Sequence, residues 1–145
     1  MRLVLDTDVV VAGLISPTGA SRRLLELAFE GRLTWLASVA LFLEYESVAF
    51  RPNVLALAAL NEREMTTFFT DLASVVEPVE IHFLWRPTLA DASDEMVLEA
   101  AINGQADMLA TFNARHFERA RGRFSRLSIG PPREALRKVE RSERR

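Results

Sequence analysis

Two carboxylates, Asp6 and Asp8, stand two residues apart directly after the apolar run Leu3–Leu5. Such a run is typical of a strand buried on both faces of a parallel sheet, and open α/β sheets bind ligands at the carboxyl ends of their strands. Charged aspartates at that point lower stability unless something neutralises them, and a bound divalent cation does so. The simpler alternative is that Asp8 only caps a helix beginning at Val9.

Further acidic or polar residues follow other apolar runs and are expected at the same edge: Glu44, Asp91, Asp94, Glu95 and Asn113. Several carboxylates without a nearby lysine or histidine repel one another, so the pocket should recruit Mg²⁺ or Mn²⁺ through hard oxygen ligands. One or two such ions can activate water and stabilise the attacking and leaving oxygens of phosphodiester hydrolysis. Acid–base work in such a site needs no histidine.

Apolar runs that alternate with helical patterns position these residues. Strands are predicted at Leu3–Leu5, Leu33–Ala37, Val79–Leu84, Met108–Thr111 and, more weakly, Leu127–Ile129; helices are predicted over residues 22–32, 38–50, 54–60, 62–76, 95–103 and 131–139. The alternation predicts an α/β fold, a three-layer α/β/α arrangement with a mostly parallel central sheet of about five strands. Right-handed crossovers would bring the ends of strands one, two and four to one edge.

Glu44 shares a helix face with Leu41 and Val48, so we expect its carboxylate to point inward, toward the acidic pocket. Asp91 and Glu95 flank Asp94 and are expected to support it.

Length and composition restrict the class of protein. The 145 residues, 49% of them hydrophobic, predict one domain over residues 1–139, followed by a frayed basic tail at 140–145. The absence of cysteine excludes disulfides and thiolate zinc sites. There is no run of ~20 apolar residues and no leader pattern, which predicts a soluble cytoplasmic protein with no membrane contact.

Four sequence segments, LVLDTDVVVAGL, SVALFLEYESVAFRP, LWRPTLADASDEMVLEAAINGQADMLATFNARHF and PREAL, together resemble the PIN-domain family. The similarity is greatest to its branch of toxin–antitoxin toxins, the relatives of VapC nucleases, and spans about residues 2–137. The resemblance implies a divalent-metal-dependent, single-strand-directed endoribonuclease with an antitoxin partner and a homodimeric assembly. The family's four acidic positions fall on Asp6, Glu44, Asp94 and Asn113, and its hydroxyl position falls on Thr111.

Two departures from the family pattern involve charge. Asp8 stands where the family usually has asparagine, and Asn113 stands where many members have aspartate. The exchange conserves the total charge, and Asp8 is expected to serve as a further metal ligand.

Two other functions fit the same residues. A haloacid-dehalogenase-like phosphatase would use Asp6 as nucleophile, with Ser38 near phosphate, but would also need a lysine or arginine there. The only lysine, Lys138, follows every acidic motif, so Arg86 would have to take that place. A catalytically inert PIN-fold protein would bind RNA or an antitoxin without turnover. A trapped aspartyl-phosphate would indicate the phosphatase, whereas RNA binding without metal-dependent cleavage would indicate the inert protein.

The charge is divided unequally along the chain. Residues 1–114 carry 7 Arg and 16 Asp or Glu, whereas residues 115–145 carry 10 Arg, 1 Lys and 4 Glu. Because acidic pockets repel RNA, we expect Arg115, Arg119, Arg121 and Arg123 to bind its phosphates at the rim. The alternative is that this basic segment only solubilises the protein. The apolar helices over Leu55–Leu72 are the predicted dimer surface.

Overall fold

The computed structural model describes residues 1–82, 89 and 91–145. Within these residues, five parallel strands form one sheet of order β3-β2-β1-β4-β5: β1 Arg2–Leu5, β2 Thr34–Ala37, β3 Glu77–Pro78, β4 Met108–Ala110 and β5 Ser128–Gly130. The predicted fold class is therefore confirmed, and the sheet is wholly parallel. β1 lies at the centre, and Leu3, Val4 and Leu5 have no solvent exposure, as an unbroken aliphatic run requires.

The third strand was predicted in the wrong place. It lies at Glu77–Pro78 instead of Val79–Leu84, and Val79 adds only one hydrogen bond, from its N–H to the Ala37 carbonyl oxygen (3.0 Å). The edge strand tolerates Pro78 because one side of it needs no N–H donor. Residues 83 and 84 of the predicted strand lie outside the described residues.

Helices cover both faces of the sheet, as right-handed crossovers require. They are α1 Thr7–Ile15, α2 Ala20–Phe29, α3 Val39–Ala49, α4 Pro52–Ala58, α5 Glu62–Val75, α6 Ala92–Asn103, α7 Glu118–Arg123 and α8 Pro132–Glu143, with a 3₁₀ turn at Ala114–Phe117. α2 packs against α1 and α8, whereas α6 packs against β1, β2 and β4. The segment from Ala114 to Arg123, for which no helix was predicted, is thus helical.

Tyr45 ties α3 to the end of β1. Its hydroxyl donates to the Leu5 carbonyl oxygen at 2.5 Å and accepts from Nε1 of Trp35 at 3.4 Å, and all of these atoms are buried. Burial raises the pKa of the Tyr45 hydroxyl, which therefore stays protonated as a donor. The residue next to Tyr45 is Glu44, and the residue after Leu5 is Asp6, so this contact sets the position of α3 relative to the first carboxylate.

The last helix continues beyond its predicted end at Val139. α8 reaches Glu143, whose carboxylate accepts from Nε and Nη2 of Arg32 at 2.8 and 3.0 Å. Residues 140–143 are therefore helical rather than frayed. At the same edge of the sheet, the Thr34 N–H donates to the Met1 carbonyl oxygen at 2.9 Å. The division of the chain at residue 139 stays a prediction.

Replacing Tyr45 with phenylalanine should lower the free energy of unfolding by about 1–2 kcal/mol, because the buried Trp35 N–H loses its acceptor and the Leu5 carbonyl loses a donor. Urea denaturation followed by circular dichroism measures the change. The control is Ser47→Ala, which removes an exposed hydroxyl from the same helix and should change stability by less than about 0.5 kcal/mol. Equal losses in the two variants would contradict the proposed anchor.

Candidate functional site

Asp6 is the most enclosed of the three aspartates Asp6, Asp8 and Asp94. It caps α1, and 8% of its surface is exposed. One carboxylate oxygen accepts from the Thr7 N–H at 2.8 Å, and the other accepts from the Thr111 hydroxyl at 2.7 Å. Burial raises the pKa of Asp6, while the two hydrogen bonds lower it and the charge of Asp94 raises it further.

Thr111 connects Asp6 to the neighbouring strands. It follows β4, is almost wholly buried, and its N–H donates to the Gly130 carbonyl oxygen of β5 at 2.8 Å. Its hydroxyl oxygen also accepts from the Asn113 N–H at 3.0 Å, which leaves the hydroxyl proton to point at Asp6. The structure therefore brings the predicted hydroxyl residue into direct contact with the first carboxylate.

Asp8 does not cap a helix, because α1 already begins at Thr7 with Asp6 as its cap. Its Oδ2 accepts from the Phe112 N–H at 3.2 Å and from Nδ2 of Asn113 at 3.0 Å. Its Oδ1 is buried and has no hydrogen-bond partner among the described residues. Burial, followed by the charge of Asp6, raises the pKa of Asp8 to about 6. The two departures from the family pattern, Asp8 and Asn113, are thus in direct contact.

Asp94 lies in the first turn of α6. This helix begins three residues before its predicted start because Asp91 caps it, accepting from the Ser93 N–H at 2.7 Å. The Asp94 side chain is 15% exposed, and its Oδ2 lies 3.2 Å from Nδ1 of His116. Burial raises the pKa of Asp94, and His116 works in the opposite direction.

Electrostatics join Asp94 to the other two carboxylates. The charge of Asp94 raises the pKa of both Asp6 and Asp8, so the three groups form one repelling cluster at the carboxyl edge of the sheet. His116 also faces this cluster, since it lowers the pKa of Asp6. The expectation that these carboxylates have no histidine nearby is therefore wrong. The position of His116, three residues after Asn113, was the available signal.

The two acidic neighbours of Asp94 have structural tasks. Asp91 caps α6, and the Glu95 side chain, of which 3% is exposed, accepts a hydrogen bond from the Leu89 N–H. Glu95 therefore holds the segment that enters the helix. Both residues act at the start of α6, which carries Asp94, and their supporting role in the site stays a prediction.

Glu44 lies on α3, a helix next to the cluster. It is half-buried, and its side chain forms no hydrogen bond or ion pair within the described part of the chain. α3 packs against α1 and α6, whose first turns hold Asp8 and Asp94. The part of Glu44 in the site stays a prediction.

The donor set fits a divalent cation. Across residues 1–82, 89 and 91–145, no three Asp, Glu or His side chains already stand close enough to form a finished metal site. Yet the cluster offers hard oxygen donors, the pKa values of all three aspartates are raised, and Asp8 has a buried oxygen without a partner. A cation would stabilise the ionised form of carboxylates whose pKa values are raised first by burial and then by neighbouring negative charges.

A cleft of about 310 Å³ opens beside Asp94, lined by Leu89, Asp91, Asp94, Arg115, His116, Glu118 and Arg119. Of the four predicted rim arginines, Arg115 and Arg119 therefore lie at the site. Arg121 instead donates to the Ile129 carbonyl oxygen at 2.9 Å, and Arg123 lines a different cleft. Binding of RNA by these arginines stays a prediction.

A parallel α/β sheet with a carboxylate cluster at its carboxyl edge defines a class of α/β proteins with an acidic ligand site. The family model described as the PIN domain matches residues 2–115, and the chain belongs to the PIN domain family. No curated protein sequence matches the chain.

Two solved structures show the same fold. A chain of VapBC2 from Rickettsia felis, determined bound to a DNA fragment from its promoter, is 17% identical; the match covers 89% of this chain and 97% of that one, with a TM-score of 0.58. A chain of FitAB bound to the IR36 DNA fragment is also 17% identical, and the match covers 90% of this chain and 94% of that one, with a TM-score of 0.59.

The raised pKa of Asp8 predicts a pH dependence of stability in metal-free protein. The native state holds the Asp8 proton more tightly than the unfolded chain, so its contribution is complete below about pH 4 and is lost as the pH rises through about 6. Asp8→Asn should therefore raise the melting temperature at pH 7 and reduce its fall between pH 4.5 and about 7, measured by calorimetry in EDTA.

The control is Asp71→Asn, which changes an exposed carboxylate on α5 and should leave the pH profile unchanged. Asp6 and Asp94 also have raised pKa values and keep part of the pH dependence in Asp8→Asn. If the melting temperature of Asp8→Asn depends on pH as that of the wild type does, the raised pKa of Asp8 does not contribute to the pH dependence of stability.

Proposed function

We propose that this protein is a divalent-metal-dependent endoribonuclease and the toxin of a toxin–antitoxin pair. PIN domain proteins are generally nucleases, which makes phosphodiester hydrolysis the reaction class of first choice. The observation that carries the proposal is the cluster of Asp6, Asp8 and Asp94, whose pKa values are all raised, beside a cleft that contains arginines.

Asp6, Asp8, Asp94 and Glu44 are the residues that would hold Mg²⁺ or Mn²⁺. When bound, the cation supplies the positive charge that phosphodiester hydrolysis requires near the attacked phosphate. The protein's own groups orient its carboxylates: Thr111 fixes one oxygen of Asp6, and Asn113 fixes one oxygen of Asp8. Asn113 thus acts as a positioning residue that leaves the second oxygen of Asp8 available as a ligand.

RNA phosphate is the anion that Arg115 and Arg119 would bind. Both side chains are exposed and line the cleft beside Asp94, and guanidinium groups can bind phosphate oxygens in pairs. They offset the acidic body of residues 1–114, which would otherwise repel the substrate. Arg115, Arg119 and Asp94 line the same cleft, which supports phosphate binding beside the carboxylates.

An antitoxin protein is the proposed partner, because both similar structures, VapBC2 and FitAB, were determined as complexes of this type bound to DNA.

We also propose a cytoplasmic location. Among the described residues, no helix has both the length and the apolar content needed to cross a membrane.

The phosphatase alternative gains no support from the site. Lys138 donates to the Ser128 side chain at 3.0 Å, at the opposite edge of the sheet, and the Ser38 side chain caps α3 by accepting from the Leu41 N–H at 3.1 Å. Arg86, the other candidate for the cationic side chain, lies outside the described residues. Metal-dependent cleavage of RNA would distinguish the proposed nuclease from the catalytically inert PIN-fold alternative.

Asp94→Asn should reduce Mn²⁺-dependent cleavage of single-stranded RNA by roughly 100-fold or more, because it removes a charged ligand. It should also weaken Mn²⁺ binding measured by calorimetry, while the metal-free melting temperature holds or rises, since one repelling charge is gone. Asp71→Asn is the matched control and should retain both properties. Undiminished cleavage by Asp94→Asn would refute the assignment of this site.

A homodimer through the helices over Leu55–Leu72 is proposed from exposed apolar surface, since 62% of Leu57 is exposed. Light scattering at micromolar concentration should give about twice the chain mass of 16.3 kDa. Leu57→Glu should shift the protein toward monomer. Leu43→Glu, at a position on α3 that is 58% exposed, is the control and should not. A monomer mass for the wild type would exclude the dimer.

A further inference from the structure

A second and larger cleft, of about 610 Å³, lies at the opposite edge of the sheet. It is bounded by the end of α6, by Asp107 directly before β4, and by the segment that joins α7 to β5. Asp107 accepts the backbone N–H of Arg2, the first residue of β1, at 2.7 Å. This cleft is therefore at the amino ends of the strands, whereas Asp6 and Thr111 follow their carboxyl ends.

α7 connects the two clefts. Arg119, in its first turn, lines the cleft beside Asp94, and Arg123, its last residue, lines the second cleft. Six helical residues rise by only about 8 Å, and strands of three or four residues span roughly 10–14 Å. The two clefts are thus close enough for one extended strand of a few nucleotides to reach both.

The charge of the connecting segment favours a polyanion. Residues 115–126 contain five arginines and one acidic residue, Glu118, within a chain whose first 114 residues are strongly acidic. Arg121, in the middle of the segment, is directed inward to the Ile129 carbonyl oxygen. The remaining arginines lie at the two ends of α7, Arg115 and Arg119 at one cleft and Arg123 and Arg126 at the other.

The second cleft combines the groups that single-stranded nucleic acids require. Arg126 is exposed, and its side chain has no hydrogen bond or ion pair in the described part of the chain. Phe124 lies between the two arginines in sequence, with the Arg123 guanidinium 6.0 Å from its ring centroid, and the exposed Gln105 adds an amide. Guanidinium groups bind phosphates, and aromatic rings stack bases. Asp107 is the one acidic side chain that lines this cleft, and one of its oxygens already accepts the Arg2 N–H.

We propose that the second cleft binds the same RNA strand that is cleaved, at nucleotides outside the scissile bond, and that the strand follows α7 from one cleft to the other. The inference rests on the proposed function and extends it, because it makes affinity depend on substrate length. A short oligonucleotide reaches only the cleft beside Asp94, whereas a longer one reaches Arg126 and Phe124 as well.

Fluorescence anisotropy with single-stranded RNA of about 4 and about 12 nucleotides, in EDTA so that cleavage is suppressed, tests the proposal on the full chain. Arg126→Gln should lower the ratio of long to short affinity about fivefold or more and reduce the slope of log affinity against log salt by about 0.7 for the long strand. Phe124→Leu, which keeps an apolar side chain, should lower the same ratio with little change in salt slope.

Two comparisons make the result specific. Arg119→Gln, in the first cleft, should weaken both lengths alike, and Arg133→Gln, an exposed arginine on α8, should change neither. If wild-type protein binds and cleaves RNA but Arg126→Gln leaves the long-to-short ratio unchanged, the second cleft is not part of the RNA path, although the proposed function stands. If the wild type neither binds nor cleaves RNA, the proposed function itself fails.

Discussion

Repulsion between carboxylates that are shielded from water is the constraint on which this structure depends. Asp6 is retained at the end of the central strand only because two donors, the Thr7 N–H and the Thr111 hydroxyl, hold its oxygens. Thr111 is in turn held by the Gly130 carbonyl of the edge strand β5. Three adjacent parallel strands, β1, β4 and β5, therefore cooperate to keep one charged group in place.

The fold could be predicted from sequence where burial alone determines residue type. Leu3–Leu5 is apolar at every position because both faces of β1 are covered, and this pattern does not depend on the partner strands. β3 could not be placed in the same way. Its two residues are identified by their pairing with Leu36 and Ala37 of β2. The more apolar segment that follows was predicted to be the strand instead. Pairing at an edge is a tertiary property that local sequence does not encode.

The site was predictable to the extent that it follows from strand ends. Asp6, Asp8, Thr111 and Asn113 all come directly after adjacent strands, and the structure joins them by hydrogen bonds. The task of each acidic residue was harder to predict from the sequence. Asp91, a helix cap, and Asp94, a member of the cluster, have the same side chain and differ only in their position relative to α6. The contact of His116 with Asp94 could not be predicted, because it depends on the 3₁₀ turn at Ala114–Phe117.

The two ends of the chain both lie near the amino end of β2. The Met1 carbonyl oxygen accepts from the Thr34 N–H, and Glu143 forms its paired hydrogen bonds with Arg32, two residues before that strand. The carboxylate cluster is at the other end of the sheet. A tether fused to either end, whether an affinity handle, a fluorescent protein or a surface linker, would thus leave the acidic pocket facing away from its attachment point. Immobilised molecules should all present the same face to solution.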